Sequence, residues 1–301
     1  MIIRWISTWV LLTFSASVWA ISPYIQGDSV AGGNVQAAAT AVETKLKNSG
    51  FKVVGKYFPK NLPGHGVVIA TDADVLDAVG SVGGNGVLGA AIRVGVKADG
   101  SVTYTNPDYW YRAYFRKSFD KKEAEVKALQ GRLETALGAG KGVGGNEEAS
   151  GLTNYRYMIG MERLDSSKSK LAEYGSFDEA LKTVRSNLAK NVGNTAKIYE
   201  VVIPGRKLAV FGVAMNDAEN NDGDWIKKIE MQNSVAGLPY EIYIVDKDVQ
   251  SPFARFRIAL AFPDVGMGQF MRISSLPGDI QETMGEVAGA KKEAEETSSW
   301  Q

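Results

Sequence analysis

The chain carries one histidine, His65, in Pro63-Gly64-His65-Gly66. Glycine on both sides lets a ligand or a backbone segment approach closely. An imidazole so placed can act as a general base or as a haem or metal ligand. It also reads as an ordinary surface-loop histidine, because neither a second histidine nor a cysteine exists to complete a coordination set. The densest run of aromatic and cationic residues is Tyr109-Trp110-Tyr111-Arg112, continuing through Tyr114, Phe115 and Arg116. Exposed, such a run would form an interface or stack a flat ligand. Buried, it would be a helix packing its aromatic side between two domains.

The carboxylates offer less. Asp72, Asp74 and Asp77 open a short helix, where acidic side chains suit the helix dipole, and their spacing spreads them around it. The run 217–224, DAENNDGD, resembles a calcium loop. With Gly223 as the loop glycine, Ala218 and Ile229 fall on ligand positions, which excludes an EF-hand. The run is expected to be a turn with Asp222 or Asp224 capping a helix. Gly140-Lys141 is no phosphate loop: Thr135 stands where the first glycine belongs and Gly142 where Ser or Thr belongs.

These residues need elements to hold them. Val67–Ala70 is a short apolar run, expected as a buried strand. A helix capped by Thr71 or Asp72 follows, ending in a flexible loop at Gly80, Gly83, Gly84 and Gly86. Ile92, Val94 and Val96 alternate with Arg93, Gly95 and Lys97, the pattern of a half-buried strand. Asp99-Gly100 predicts a hairpin turn into Val102–Thr105, and Asn106-Pro107 ends that strand. Helices are expected over Val35–Asn48, Asp120–Leu137, Phe177–Asn191, Asp224–Met231 and Gly278–Lys292. Further strands are expected at Phe51–Phe58, Asn154–Leu164, Lys197–Ile203, Leu208–Met215, Pro239–Val245, Ala254–Phe262 and Phe270–Ile273.

Residues 1–20 have the pattern of a secretory signal peptide: Arg4, an apolar stretch, then Val18-Trp19-Ala20 for cleavage. After cleavage no stable membrane anchor is expected, and the location is periplasmic or secreted. The absence of cysteine excludes disulfides, thiolate metal sites, thiol catalysis and covalent haem attachment. Formal net charge is zero, so no nucleic-acid partner is expected. A chain of 301 residues exceeds what one core usually holds. The expected division is a first domain, 21–137, a Gly-rich flexible linker, 138–153, a second domain, 154–292, and a tail, 293–301. Both halves follow one plan of helix, strand, strand, short helix, strand, turn, strand, which marks a duplicated domain.

Gly50-Phe51-Lys52-Val53, Asp99-Gly100 and Asn106-Pro107-Asp108-Tyr109 in the first half resemble the motifs of domain-of-unknown-function family 302. In the second half, Ala236-Gly237-Leu238-Pro239-Tyr240-Glu241-Ile242 with Asp246 fits the family's strand and acidic turn. The copies depart from the pattern at Gly89-Ala90-Ala91-Ile92, which lacks the proline, and at Phe262-Pro263. The resemblance implies an α+β fold and no particular activity. The expectation is therefore two tandem domains, each a small, mainly antiparallel sheet with helices packed on one face. Functionally it is an exported, non-enzymatic binding or interaction protein for an unknown small molecule or a periplasmic protein. The cleft between the domains near His65 and Tyr109–Arg112 is the candidate ligand site. The alternatives are a haem- or metal-associated accessory protein or enzyme using His65, and a pure scaffold. The residues identify no cofactor.

Overall fold

The computed structural model describes residues 20–290. The expected leader, apart from Ala20, and the expected tail 293–301 lie outside the described residues. Ala20–Ile21 (β1) and Tyr24–Gln26 (β2) lead into Val35–Asn48 (α1). Asn34 starts α1 by accepting the Ala37 N–H at 2.8 Å. Val35, Ala38, Ala39, Val42 and Leu46 form the buried stripe of that helix. Gly50, at φ 86°, reverses the chain into Lys52–Tyr57 (β3) and His65–Thr71 (β4). Asp72 caps Ala73–Val82 (α2), its Oδ1 accepting the Val75 N–H at 2.8 Å.

A 3-10 segment, Gly84–Ala90, then leads to Ile92–Lys97 (β5) and Val102–Thr105 (β6). Pro107–Phe115 (α3) follows, with proline in the first turn where no N–H is needed. Glu123–Leu137 (α4) packs beside it. The strands run in the order β3-β4-β5-β6-β2, each pair described being antiparallel.

The stretch 138–153, expected to be a flexible linker, instead closes onto the first half. Gly142–Val143 (β7) joins the sheet beside β2, and Glu147–Glu148 (β8) pairs with β1. Ala149–Leu152 (α5) packs on α3 with Leu152 buried. The glycines here serve close approach: a Cβ on Gly140 would strike the Gln26 carbonyl, and one on Gly142 would sit 2.5 Å from Ser22 Oγ.

The second half contains Lys170–Glu173 (β9), Phe177–Ala189 (α6), Thr195–Val202 (β10), Leu208–Met215 (β11) and Asp222–Lys228 (α7). A second 3-10 segment, Gln232–Gly237, precedes Tyr240–Val245 (β12) and Asp248–Gln250 (β13). Ala254–Ala261 (α8), Met267–Met271 (α9) and Leu276–Ala288 (α10) complete the described chain. The sheet order is β10-β11-β12-β13-β9, again antiparallel.

Three strand expectations are corrected. Asn154–Leu164 is irregular, and the strand of that region is β9. Ala254–Phe262 is helical over Ala254–Ala261, with Arg255 exposed; Arg255 and the buried Arg257 alternate with Phe256 and Ile258, and Leu260 and Phe262 extend the alternation, so the stretch imitates a period of two. Phe270–Ile273 is the end of the short helix α9, which closes at Met271, and the turn after it. Among the described residues no helix is long and apolar enough to cross a membrane.

Element by element, the second half repeats the first. Helix α6 matches α1, β10 to β13 match β3 to β6, α7 matches α2, and α8 matches α3. Even β9 lies beside β13 as β2 lies beside β6. Helix α1 covers the outer face of the first sheet and α6 that of the second. The inner faces meet each other. Gly66 and Val96 are register partners on the face toward Val35 of α1, so the neighbouring Gly95 points the other way. There a Cβ would meet Val235 at 2.9 Å and the Ala236 nitrogen at 3.1 Å. Each 3-10 segment thus lies on the other half's sheet: 232–237 on β4, β5 and β6, and 84–90 on β11 and β12. One continuous cluster of buried hydrophobic side chains spans both halves.

Candidate functional site

His65 opens β4, opposite Lys97 at the end of β5. Helix α3 leaves β6 at the other end of the sheet, past the pair Ala70 and Ile92. Five residues of strand, about 17 Å, separate the two ends, so His65 and Tyr109–Arg112 do not share a cleft. His65 is half-buried, and its Nδ1 lies 3.1 Å from the Pro63 carbonyl. A carbonyl only accepts, so this contact is a hydrogen bond donated by Nδ1. Among the described residues no group of three or more His, Asp or Glu side chains is arranged to hold a metal ion.

The aromatic run is buried and its polar tips are occupied. Tyr109 donates to the Leu260 carbonyl at 2.9 Å, Trp110 Nε1 to the Pro23 carbonyl at 2.8 Å, and Tyr111 to the Gly89 carbonyl at 2.7 Å. Arg112 is half-buried, bonds Asp108 at 2.9 Å, and lays its guanidinium 4.1 Å from the Phe119 ring centre. Burial raises the Tyr109 and Tyr111 phenols far above their ordinary pKa, so both stay protonated and neither is a base.

Trp110 leads to the polar centre of the molecule. Arg93 of β5 and Arg257 of α8 place their guanidinium carbons 4.7 and 5.1 Å from its ring centre. Between them sits Glu241 of β12, with no exposed surface. Arg257 holds it through two bonds, Nε to Oε2 at 2.7 Å and Nη2 to Oε1 at 2.9 Å. Arg93 Nη1 also pairs with Oε1. Arg93 and Glu241 occupy matching places in β5 and β12, as Trp110 and Arg257 do in α3 and α8. The duplicated positions therefore meet across the interface with complementary chemistry. The alternation of β5 had pointed Arg93 to solvent; the second half covers that face and leaves it 2% exposed. The legible signal was an arginine and a glutamate at one repeat position, in strands otherwise apolar.

The ion triad is shut away from solvent, so ligand access has to be sought at the surface. The aromatic helix borders a groove of about 420 Å³ between α2 and α4. Its lining is apolar at Val75, Ala78, Tyr111, Phe115, Val126 and Leu129. At its edge Arg132 bridges Asp72 at 2.8 Å and Asp74 at 2.9 Å, and Lys122 pairs with Glu125 at 3.0 Å. The pairing with Lys122 holds the Glu125 carboxyl below its usual range. Of the expected site residues, only Tyr111 reaches this groove. Two of the three aspartates, Asp74 and Asp77, also line it, but without a base or nucleophile poised beside them.

Comparison of the chain with family models, with curated proteins and with solved structures finds no match.

Proposed function

We propose that this is an exported, non-enzymatic binding protein that takes a small, largely apolar molecule in the groove between α2 and α4. The observation that carries the reading is the groove itself. Its volume of about 420 Å³ suits a small ligand. Its walls are largely hydrophobic, and at its edge Arg132 is paired with Asp74 and Lys122 with Glu125. A ligand would enter by burying apolar surface, with the charged edge fixing its orientation. The leader pattern of residues 1–20 supports export, and the resemblance to domain-of-unknown-function family 302 is compatible with a binding role.

Native mass spectrometry of protein isolated from its own host tests this. One retained small molecule per chain is expected. Ala128 is exposed at the groove's edge, so Ala128→Trp should fill the groove, leave the fold intact and release the ligand. A bare chain in the wild type, or a ligand still held by the Trp variant, would sink the proposal.

A further inference from the structure

Phe115 also lines a second, open surface cavity, of about 870 Å³, bordered by the Gly83–Gly86 turn, the end of α3 and residues Thr153, Asn154, Arg163 and Asp165. We propose that this cavity binds a small organic anion carrying phosphate or carboxylate groups. It is a different site from the apolar groove and stands independently of it.

The charge balance is the first argument. Arg116, Lys117 and Arg163 line the cavity against the single carboxylate of Asp165. Only Arg116 is paired, its Nη1 lying 2.5 Å from Asp165 Oδ1. That pair outweighs burial and holds the Asp165 carboxyl below its ordinary value. Lys117 and Arg163 form no ion pair among the described residues. The Nε of Arg163 is buried with no acceptor, although a guanidinium N–H removed from water requires one. An anion supplies both the acceptor and the missing charge. Guanidinium groups present paired donors that match phosphate and carboxylate oxygens, and an ammonium adds a point charge.

The second argument is the backbone. Arg116 stands at φ 52° and ψ −126°, a conformation that side-chain-bearing residues avoid. Strain of this kind concentrates at binding and catalytic positions, and here it aims one of the three cations. Across the cavity, Gly83 and Gly84 also have positive φ, and no atom lies within 4 Å of where their side chains would start. Asn85 also lines the cavity, with its amide donating to the Leu164 carbonyl at 3.2 Å and accepting from Tyr243 at 3.2 Å. Gly83 and Gly84 leave their part of that wall without side chains, and the room available exceeds what inorganic phosphate fills, which calls for a whole small molecule.

Isothermal titration of the full chain with pyrophosphate and with citrate tests the assignment. Saturable binding of one anion per chain is expected, weakening as salt is raised. Lys117 is exposed, so Lys117→Gln leaves the fold intact, and it should weaken binding by about tenfold, as should Arg163→Gln. Lys182→Gln, on the exposed side of α6, is the control for net charge and should change nothing. Preference for pyrophosphate would assign a phosphorylated ligand and preference for citrate a polycarboxylate. Absence of saturable binding to both, or equal weakening in the Lys182 control, would overturn the proposal.

Discussion

Asp222 is a fully buried carboxylate, and burial raises its pKa from the ordinary value to about 6. Three donors oppose the shift without cancelling it: Tyr57 at 2.6 Å and the Met215 N–H at 3.0 Å on Oδ2, and Trp225 Nε1 at 3.1 Å on Oδ1. The folded protein therefore holds this proton more tightly than the unfolded chain does. The resulting stabilisation is fully present below about pH 4, the range in which the unfolded chain is protonated too. It is lost as pH rises through about 6. The loss amounts to about 3 kcal/mol. Denaturant unfolding of wild type and Asp222→Asn from pH 4 to 7 should show the wild type losing stability relative to the variant as pH rises. Parallel curves would show that Asp222 titrates normally. The Arg93–Glu241–Arg257 triad represents the opposite solution to burial. There the ions are kept charged by one another, and removing one partner from such a cluster typically costs about 3–5 kcal/mol.

At the scale of elements, the two halves touch edge to edge where β3 meets β10. Both strands carry a register shift, between Val53 and Gly55 and between Lys197 and Tyr199. The irregular places face each other: a Cβ on Gly55 would lie 2.5 Å from the Ile198 carbonyl and 3.1 Å from Tyr199 Cβ. Backbone cannot move aside as a flexible side chain can. Gly55→Ala is therefore expected to lower stability by about 1–3 kcal/mol, measured by chemical denaturation. A change within experimental error would mean that the β3–β10 approach is loose. The 3-10 segments show the same dependence on partners. The glycine-rich stretch after α2 reads as a flexible loop, yet Gly86 to Ala90 are buried beneath the other half's sheet.

For the whole molecule, the inner faces of both sheets, both 3-10 segments and the ion triad are buried by the opposite half. Neither half alone would keep this surface from water. Chains of 20–153 and 154–290, produced separately, are expected to bind a hydrophobic dye and to melt without a cooperative transition, whereas the joined chain melts as one unit. Two cooperative, dye-silent halves would show that each core is self-sufficient. The closure of residues 138–153 onto the first half adds to the same cohesion, since β7 and β8 both pair with strands from the start of the described chain.

Local chemistry was legible from sequence wherever it acts within one element. The stripe of α1, the Asp72 cap and the Asp99-Gly100 hairpin all depend on neighbours a few residues away. Periodicity also conveyed the repeated plan of the two halves, and the family resemblance implied the α+β class. It failed at Ala254–Phe262, where the exposed Arg255 and the buried Arg257 alternate with apolar residues and so counterfeit a strand's period. The position of Arg93, the distance between His65 and the aromatic helix, and the two surface cavities were decided only by tertiary structure. Each depends on which face of one half the other half covers, and that choice is made by contacts more than a hundred residues apart in the chain.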